Sequence, residues 1–421
     1  MSMLDINFIR DNQELVKENI KNRRVTVDLD ALLEADTRRR QLLPAIEELR
    51  AARKKASKHK PSDTQIAEMK KVGEKIKKLE EQFAPVEQEF KDLLSQIPNL
   101  IHPDVPIGSE DDYRVLEEKG SGLSFDFTPQ DHESLLTALD LLDFERGAKV
   151  AGAKFYFPKG DLVRLNQALL QYAIDKVASK GFTLLETPDM VRQEILDASG
   201  FNPRGGESQV YGIKDHDLHL IGTAEIPLLG YHANEILDFK SGPKKYAGLS
   251  HCYRTEAGAY GKTQKGLYRV HQFTKLEMFI FCAPEESEVM HQELLQLEKN
   301  ICDDLGLQYR VIDTASGDLG APAYRKFDIE ARMVMKGGTE SGYDFGEITS
   351  ASNCTDYQAR RLNIRHVNKA LEKEFVHTLN GTAVALSRFP VAIVEQYQNA
   401  DGSITVPKVL RPYMGKKKMI K

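Results

Sequence analysis

The residues best suited to chemistry crowd into one stretch, YRTEAGAYGKTQKGLYRVHQFTKLEM, from Tyr253 to Met278. Strand side chains alternate between faces with a period of two, so an extended Tyr253–Glu256 segment puts Arg254 and Glu256 together. A second strand, Arg269 to Phe281, places Arg269, His271, Phe273, Lys275 and Glu277 on one face. Leu276, Met278 and Ile280 take the other. A third, Gly346 to Asn353, carries Glu347, Ser350 and Asn353. Arginines in such a set suit a phosphate under developing charge, because a guanidinium holds two oxygens at once. Glu347 beside Ser350 offers oxygen ligands for Mg2+, which keeps most of its waters and bridges phosphates. Glu256 can accept from an adenine amino group, and Arg388, preceded by small residues, suits a terminal phosphate. For any one of these residues a surface ion pair is explanation enough. It is a poor explanation for three strands that break their alternation on one side. The loop AGAYGKTQKG between the first two strands carries Gly258, Gly261, Gly266, Lys262 and Lys265, and is expected to close over an anion.

The elements that must position these groups lie downstream of residue 105. Short runs rich in β-branched and aromatic residues recur, among them HLIGTAEIPL, YAGLSHCYRTEA, LQYRVIDTA, KFDIEARM and VALSRF. Longer amphipathic segments begin at Asp161 and Pro284 and stop at Gly181 and Gly306. Strands in succession with few long helices between them predict an α+β class, an antiparallel β-sheet flanked by helices. Pro188 ends a strand in FTLLETPDMV, since proline is tolerated only at a strand end or edge. Neither a G-x-G-x-x-G turn nor a P-loop is present, so a bound nucleotide must be held some other way.

The first hundred residues follow a different rule. After a short leading helix, apolar residues from Met69 through Val72, Ile76, Leu79, Phe83, Val86, Phe90 and Leu93 to Ile97 alternate spacings of three and four, a coiled-coil seam. A looser seam runs from Leu32 to Ala56, and KHKPSD joins the two. A short turn forces the helices antiparallel, so residues 27–97 form a helical hairpin with arms of about 45 Å. Pro44 and Pro85 fall inside it and are expected to bend it. Between Arg50 and Lys78 eleven basic residues face three acids. A solvated face would interleave the signs, so Arg50, Arg53, Lys54, Lys55, Lys58, Lys70, Lys71 and Lys75 mark a polyanion contact. The segment around Pro98, Pro103 and Pro106 links this N-terminal domain, residues 1–105, to a second at 106–421.

Composition excludes other classes. The 421 residues are 41% hydrophobic and 29% charged, with a net charge of -5, so any nucleic-acid signal is local. No apolar run is long enough to span a membrane, and the N-terminus lacks the pattern of a leader. Cys252, Cys282, Cys302 and Cys354 are scattered, as in free buried thiols of a cytoplasmic protein.

The Tyr253–Phe279 stretch resembles motif 2 of the class II aminoacyl-tRNA synthetases, in the form found in seryl-tRNA synthetases. FTLLETPDMV is similar to motif 1, and NGTAVALSRFPVAIVEQYQ to motif 3 with Arg388 as its arginine. LDINFIRDN, IPNLIHPDVPIG, LIGTAEIPL, EITSASNCTDYQARRLNIR and ADGSITVPKVLRPYMG resemble the bacterial-type family in content and order. The resemblance implies that serine and ATP give seryl-adenylate, and that serine then passes to the 3′ end of tRNA(Ser). Whether tRNA(Sec) is a second acceptor stays open. It also implies a homodimer across motif 1, and a hairpin that holds the tRNA variable arm.

By matching position, Arg254, Thr255 and Glu256 meet ATP, while Val270 and Phe273 frame its adenine. Val270 and Phe273 have opposite parity on a regular strand, a conflict that sequence leaves standing. Glu347, Ile348, Thr349 and Ser350 lie along the nucleotide, with Glu347 and Ser350 at Mg2+. Arg388 clamps the γ-phosphate, and Arg254 and Arg388 are the catalytic pair. Thr223, Ala224, Glu225, Glu277, Asn380 and Thr382 form the serine site. Motif 3 departs from the family pattern, because Ala385, Leu386 and Ser387 stand where more glycine is usual. Two other readings remain: a synthetase-like ligase that loads a small amino acid onto a carrier protein, and a non-catalytic RNA-binding paralogue. The first kind lacks the long hairpin. The second is expected to lose motif arginines, and Arg254, Arg269 and Arg388 are all present.

Overall fold

The computed structural model describes residues 4–56, 63–120, 124–201, 209–256, 266–334 and 343–421, with backbone alone for 63–66. It divides into two units, Met1–Leu100 and Ile101–Lys421. Lys58, Lys60 and residues 257–265 of the glycine-rich loop lie outside the described residues.

In the first unit, α1 (Ile6–Asp11) and α2 (Gln13–Asn22) precede the hairpin helices α3 (Leu29–Ala56) and α4 (Asp63–Gln96). Asp5 caps α1 by accepting the Asn7 N–H at 2.7 Å. Ile9, Val16, Leu32, Ala35, Phe90, Leu94 and Ile97 form the core at the base of the hairpin. Above it, the Arg39 Nε donates to Glu87 at 2.6 Å while its guanidinium covers Phe90 at 4.7 Å. Arg50 meets Glu80 at 2.6 Å further out. Both prolines fall between these two cross-helix pairs, and both helices continue through them. Each proline removes one backbone bond, while packing against the partner holds the turns on either side. Arg50, Arg53, Lys54, Lys55, Lys70, Lys71 and Lys75 are all exposed.

The second unit is built on an eight-stranded sheet. In chain order its strands are β1 (Arg114–Lys119), β2 (Thr183–Glu186), β3 (Lys244–Tyr253), β4 (Gln272–Cys282), β5 (Tyr309–Asp313), β6 (Arg325–Met333), β7 (Asp344–Asn353) and β8 (His377–Ala385). They lie side by side as β1-β5-β6-β7-β8-β4-β3-β2. Every neighbouring pair is antiparallel except β2 with β3. β2 is an edge strand and stops before Pro188, as a residue without an N–H requires. The helices that bear on the site are α5 (His132–Ala138), α6 (Gly160–Ala178), α7 (Glu225–Gly230), α8 (Ser287–Leu305), α9 (Tyr357–Arg361) and α10 (Phe389–Gln396). Leu276, Met278 and Ile280 of β4 join Leu165 and Leu169 of α6 and Leu294 and Ile301 of α8 in the main core. The apolar parity of β4 is thus sealed under helices, which leaves the polar parity to face the other way.

His291 of α8 is part of that seal. It is fully buried, its Nε2 donates to the Ala351 carbonyl at 2.9 Å, and burial pushes its pKa down to about 4. A histidine with a depressed folded pKa binds its proton more readily when unfolded, so its stabilising contribution is lost as pH falls from the ordinary 6.5 towards about 4. The urea midpoint should drop over that window, and His291→Gln should flatten that part of the slope.

Candidate active site

The polar face of the sheet gathers the residues singled out by sequence, although not all of them lie on strands. β3 ends at Tyr253, so Arg254, Thr255 and Glu256 follow it, with Glu256 in a left-handed conformation at φ 48°. β4 begins at Gln272, so Arg269, Val270 and His271 precede it. Period-two alternation therefore never applied to Val270, and both Val270 and Phe273 line the cleft. The Arg254 N–H donates to the His271 carbonyl at 3.0 Å and zips the two ends together. The Arg254 guanidinium lies 5.3 Å from the Phe273 ring centre, and its Nε donates to the Gly222 carbonyl at 3.2 Å. Arg269 donates to the Glu256 carboxylate at 2.9 Å.

Two bulges set the remaining parity. Residues three apart on a regular strand face opposite ways, yet β7 shifts register between Glu347 and Thr349. Ile348 is the extra residue, and the shift brings Glu347 and Ser350 onto one face, opposite Glu330 and Asp328 of β6. A second shift between Thr382 and Val384 of β8 leaves Thr382 directly across from Glu277. The Thr349 hydroxyl donates to the Thr382 carbonyl, which ties the two bulged strands.

Arg388 stands just before α10. Its guanidinium carbon lies 3.8 Å from the Tyr268 ring centre, and its Nη1 donates to the Glu347 carbonyl at 2.8 Å. The Tyr268 hydroxyl donates to the same carbonyl at 3.1 Å. Leu386 belongs to the main core, whereas Ala385 and Ser387 line the cleft. The bulky member of that run is therefore turned away from it. The cleft is open to solvent on one side, and its lining is dominated by charged and polar groups with Val270, Phe273 and Ile348 among them.

Beside the cleft lies an acid-lined recess. Glu277 is buried, ion-paired with Lys275, and accepts from the Thr223 hydroxyl at 3.3 Å. Burial pushes its pKa up, and Lys275 pulls against that shift. Glu225, the first residue of α7, accepts from Asn380 Nδ2 at 2.9 Å and from Gln358 Nε2 at 2.6 Å. Burial and the nearby Glu277 carboxylate raise Glu225 to about 7. Gln358 is itself fixed by the Thr378 hydroxyl at 2.7 Å and the Ser199 carbonyl at 3.0 Å. Ala224 supplies packing: a Cβ added at Gly248, which is opposite Glu277, would come 3.0 Å from the Ala224 Cβ.

Sequence reasoning gave no role to Tyr268, Gln358 or Lys275. Lys275 was visible on the charged face, but nothing in the pattern named Glu277 as its partner. Tyr268 and Gln358 look like core or surface residues until the fold brings them to Arg388 and Glu225. Glu347, with its side chain half-exposed, and Ser350 on the same face fit Mg2+ of the kind that keeps waters and meets phosphates. Among the described residues no cluster of three His, Cys, Asp or Glu makes a closed metal cage. Nor is any described helix long and apolar enough to cross a membrane.

The chain is similar to known proteins along nearly all of its length. Residues 3–101 match the model of the seryl-tRNA synthetase N-terminal domain. Residues 210–397 match that of the class II tRNA synthetase core domain for G, H, P, S and T. A serine–tRNA ligase of Treponema denticola is 49% identical over 98% of this chain and 99% of its own length. One from Dictyoglomus turgidum is 50% identical over 98% of each chain. The crystal structure of seryl-tRNA synthetase from Pyrococcus horikoshii complexed with ATP superposes with a TM-score of 0.87 at 38% identity, covering 99% of both chains. With both of its parts matched and 98% of its length aligned to relatives about half identical, the chain belongs to the seryl-tRNA synthetase family of class II.

Proposed function

We infer that this chain is a serine–tRNA ligase that activates L-serine with ATP and transfers it to tRNA(Ser). The observation that carries this reading is the join between a recess holding Glu225 and Glu277 and a cleft holding Arg254, Arg388 and Glu347, with β4 and β8 lining both. In the first step a serine carboxylate oxygen attacks the α-phosphorus of ATP, the bond to the bridging oxygen breaks, and pyrophosphate leaves. Arg254 bears on the α-phosphate and Arg388 on the γ-phosphate. Val270 and Phe273 frame the adenine, Glu256 accepts from its amino group, and Thr255, Ile348 and Thr349 border the nucleotide. Glu347 and Ser350 would hold Mg2+, which supplies charge neutralisation on the phosphate oxygens. A carboxylate is already a nucleophile, so this step needs alignment and charge compensation rather than a base. In the second step a ribose hydroxyl at the tRNA 3′ end attacks the seryl carbonyl and AMP leaves.

Glu225, Glu277 and Thr223 hold the serine ammonium and hydroxyl, with Asn380 and Thr382 completing the recess. Alanine would leave the buried acceptors around the missing hydroxyl unpaired, and polar sites reject such analogues strongly. The exposed basic side chains Arg50, Arg53, Lys54, Lys55, Lys70, Lys71 and Lys75 contact the tRNA backbone, reading shape and charge rather than bases. A homodimer forms across the Phe182–Val191 segment, where Leu184 and Met190 are exposed apolar residues. Four buried free cysteines accord with a cytoplasmic setting.

Serine-dependent ATP–pyrophosphate exchange should be present with wild-type protein, and its absence contradicts this reading. Glu277→Gln should cut serine-dependent exchange by about a hundredfold or more while narrowing the preference for serine over alanine. Replacing Arg53, Lys54, Lys55 and Lys71 together with Ala should leave exchange unchanged. The same change should weaken tRNA binding and flatten its salt dependence by roughly 0.7–0.9 in log–log slope for each lost phosphate contact.

A further inference from the structure

We propose that His132, far from the cleft in sequence, is a positioning residue for Arg388. His132 opens α5 and is fully buried, as is Glu395 of α10. The His132 Nε2 lies 3.0 Å from the Leu267 N–H, which can only donate, so Nε2 accepts. The ring proton of the neutral imidazole therefore sits on Nδ1 and is donated to Glu395 Oε1 at 2.7 Å. The His132 backbone N–H donates to the same oxygen at 2.9 Å.

These bonds close a ring of contacts. Arg388 precedes α10, and Glu395 lies near the other end of that helix. Glu395 holds His132, His132 holds the Leu267 backbone, and the next residue is Tyr268, whose ring lies 3.8 Å from the Arg388 guanidinium carbon. The turn Gly266–Tyr268 is thus fixed to α10 at two points: through the Tyr268–Arg388 stack and through His132. Gly266 records how close the imidazole comes. A Cβ there would sit 2.1 Å from the His132 Nε2, and the backbone already has φ +64°. Without the imidazole, the Leu267 N–H loses its buried acceptor and Glu395 loses one of its donors, the turn shifts, and Arg388 loses its platform.

This inference rests on the assignment of Arg388 to ATP, so it is tested by exchange kinetics with both substrates varied. Wild-type exchange must be seen first; its absence overturns the assignment itself. His132→Ala should raise the KM for ATP about tenfold while changing that for serine by less than about twofold. Gly266→Ala, which drives a methyl into the imidazole, should do the same. The effects of the two changes should combine to less than their product, because removing the ring makes room for the methyl and leaves only the backbone strain at residue 266. His132→Gln, which retains an acceptor for Leu267 N–H, should recover most of the ATP KM. If His132→Ala does not fold, Gly266→Ala and His132→Gln still decide the matter. Equal effects on both substrates, multiplicative effects in the double variant, or unchanged ATP KM in Gly266→Ala overturn the proposal.

Discussion

Two carboxylates, Glu225 and Glu277, sit in one recess where burial favours their neutral forms. Most of the site can be understood as the means of keeping that pair usable. Lys275 is ion-paired with Glu277 from the same strand face. Gln358 and Asn380 donate to one oxygen of Glu225, and Thr378 and Ser199 in turn hold Gln358. Donors to a carboxylate stabilise its ionised form, while desolvation and a like charge oppose it. The balance leaves Glu225 near the middle of its titration at neutral pH. An incoming ammonium would tip that balance, and a neutral ligand would not.

On the proposed assignment the neighbouring cleft solves the opposite problem, since its cations must remain available to phosphate. Arg254 is turned over Phe273, and Arg388 lies over Tyr268 while donating to a backbone carbonyl. Aromatic faces and carbonyls orient a guanidinium without neutralising it, as a close carboxylate would. The Glu347 carboxylate is 4.0 Å from Arg388, near enough to attract it and too far for a direct bond. Partial desolvation of the half-exposed Glu347 carboxylate is outweighed by Arg388, Lys326 and Arg254, which hold its pKa below the usual value.

Much of this architecture was legible in the sequence because alternation exposes the exception. A β4 with Lys275 and Glu277 on one parity and Met278 and Ile280 on the other can only divide a polar space from a core. The hairpin was legible for the same reason, with a seam of threes and fours and an uncompensated run of lysines. Illegible features were those where the chain departs from regularity. The Ile348 bulge makes Glu347 and Ser350 neighbours, and Val270 escapes the parity of β4 by lying before it. Pro44 and Pro85 were legible as points of interruption, yet both helices run through them. Gln358 and His132 gave no local signal, because the groups they serve at the site, Glu225 and the Leu267 N–H, are more than a hundred residues away in the chain.

The state of the buried acid pair is the centre of this account, and calorimetry of serine binding reports it directly. Titrations at pH 7 in two buffers of different ionisation enthalpy give the number of protons exchanged. With Glu225 raised to about 7, binding of the serine ammonium at pH 7 should release a fraction of a proton, more at pH 6 and less at pH 8. Glu225→Gln should abolish the release. A binding enthalpy independent of buffer, or proton uptake on binding, would contradict the account.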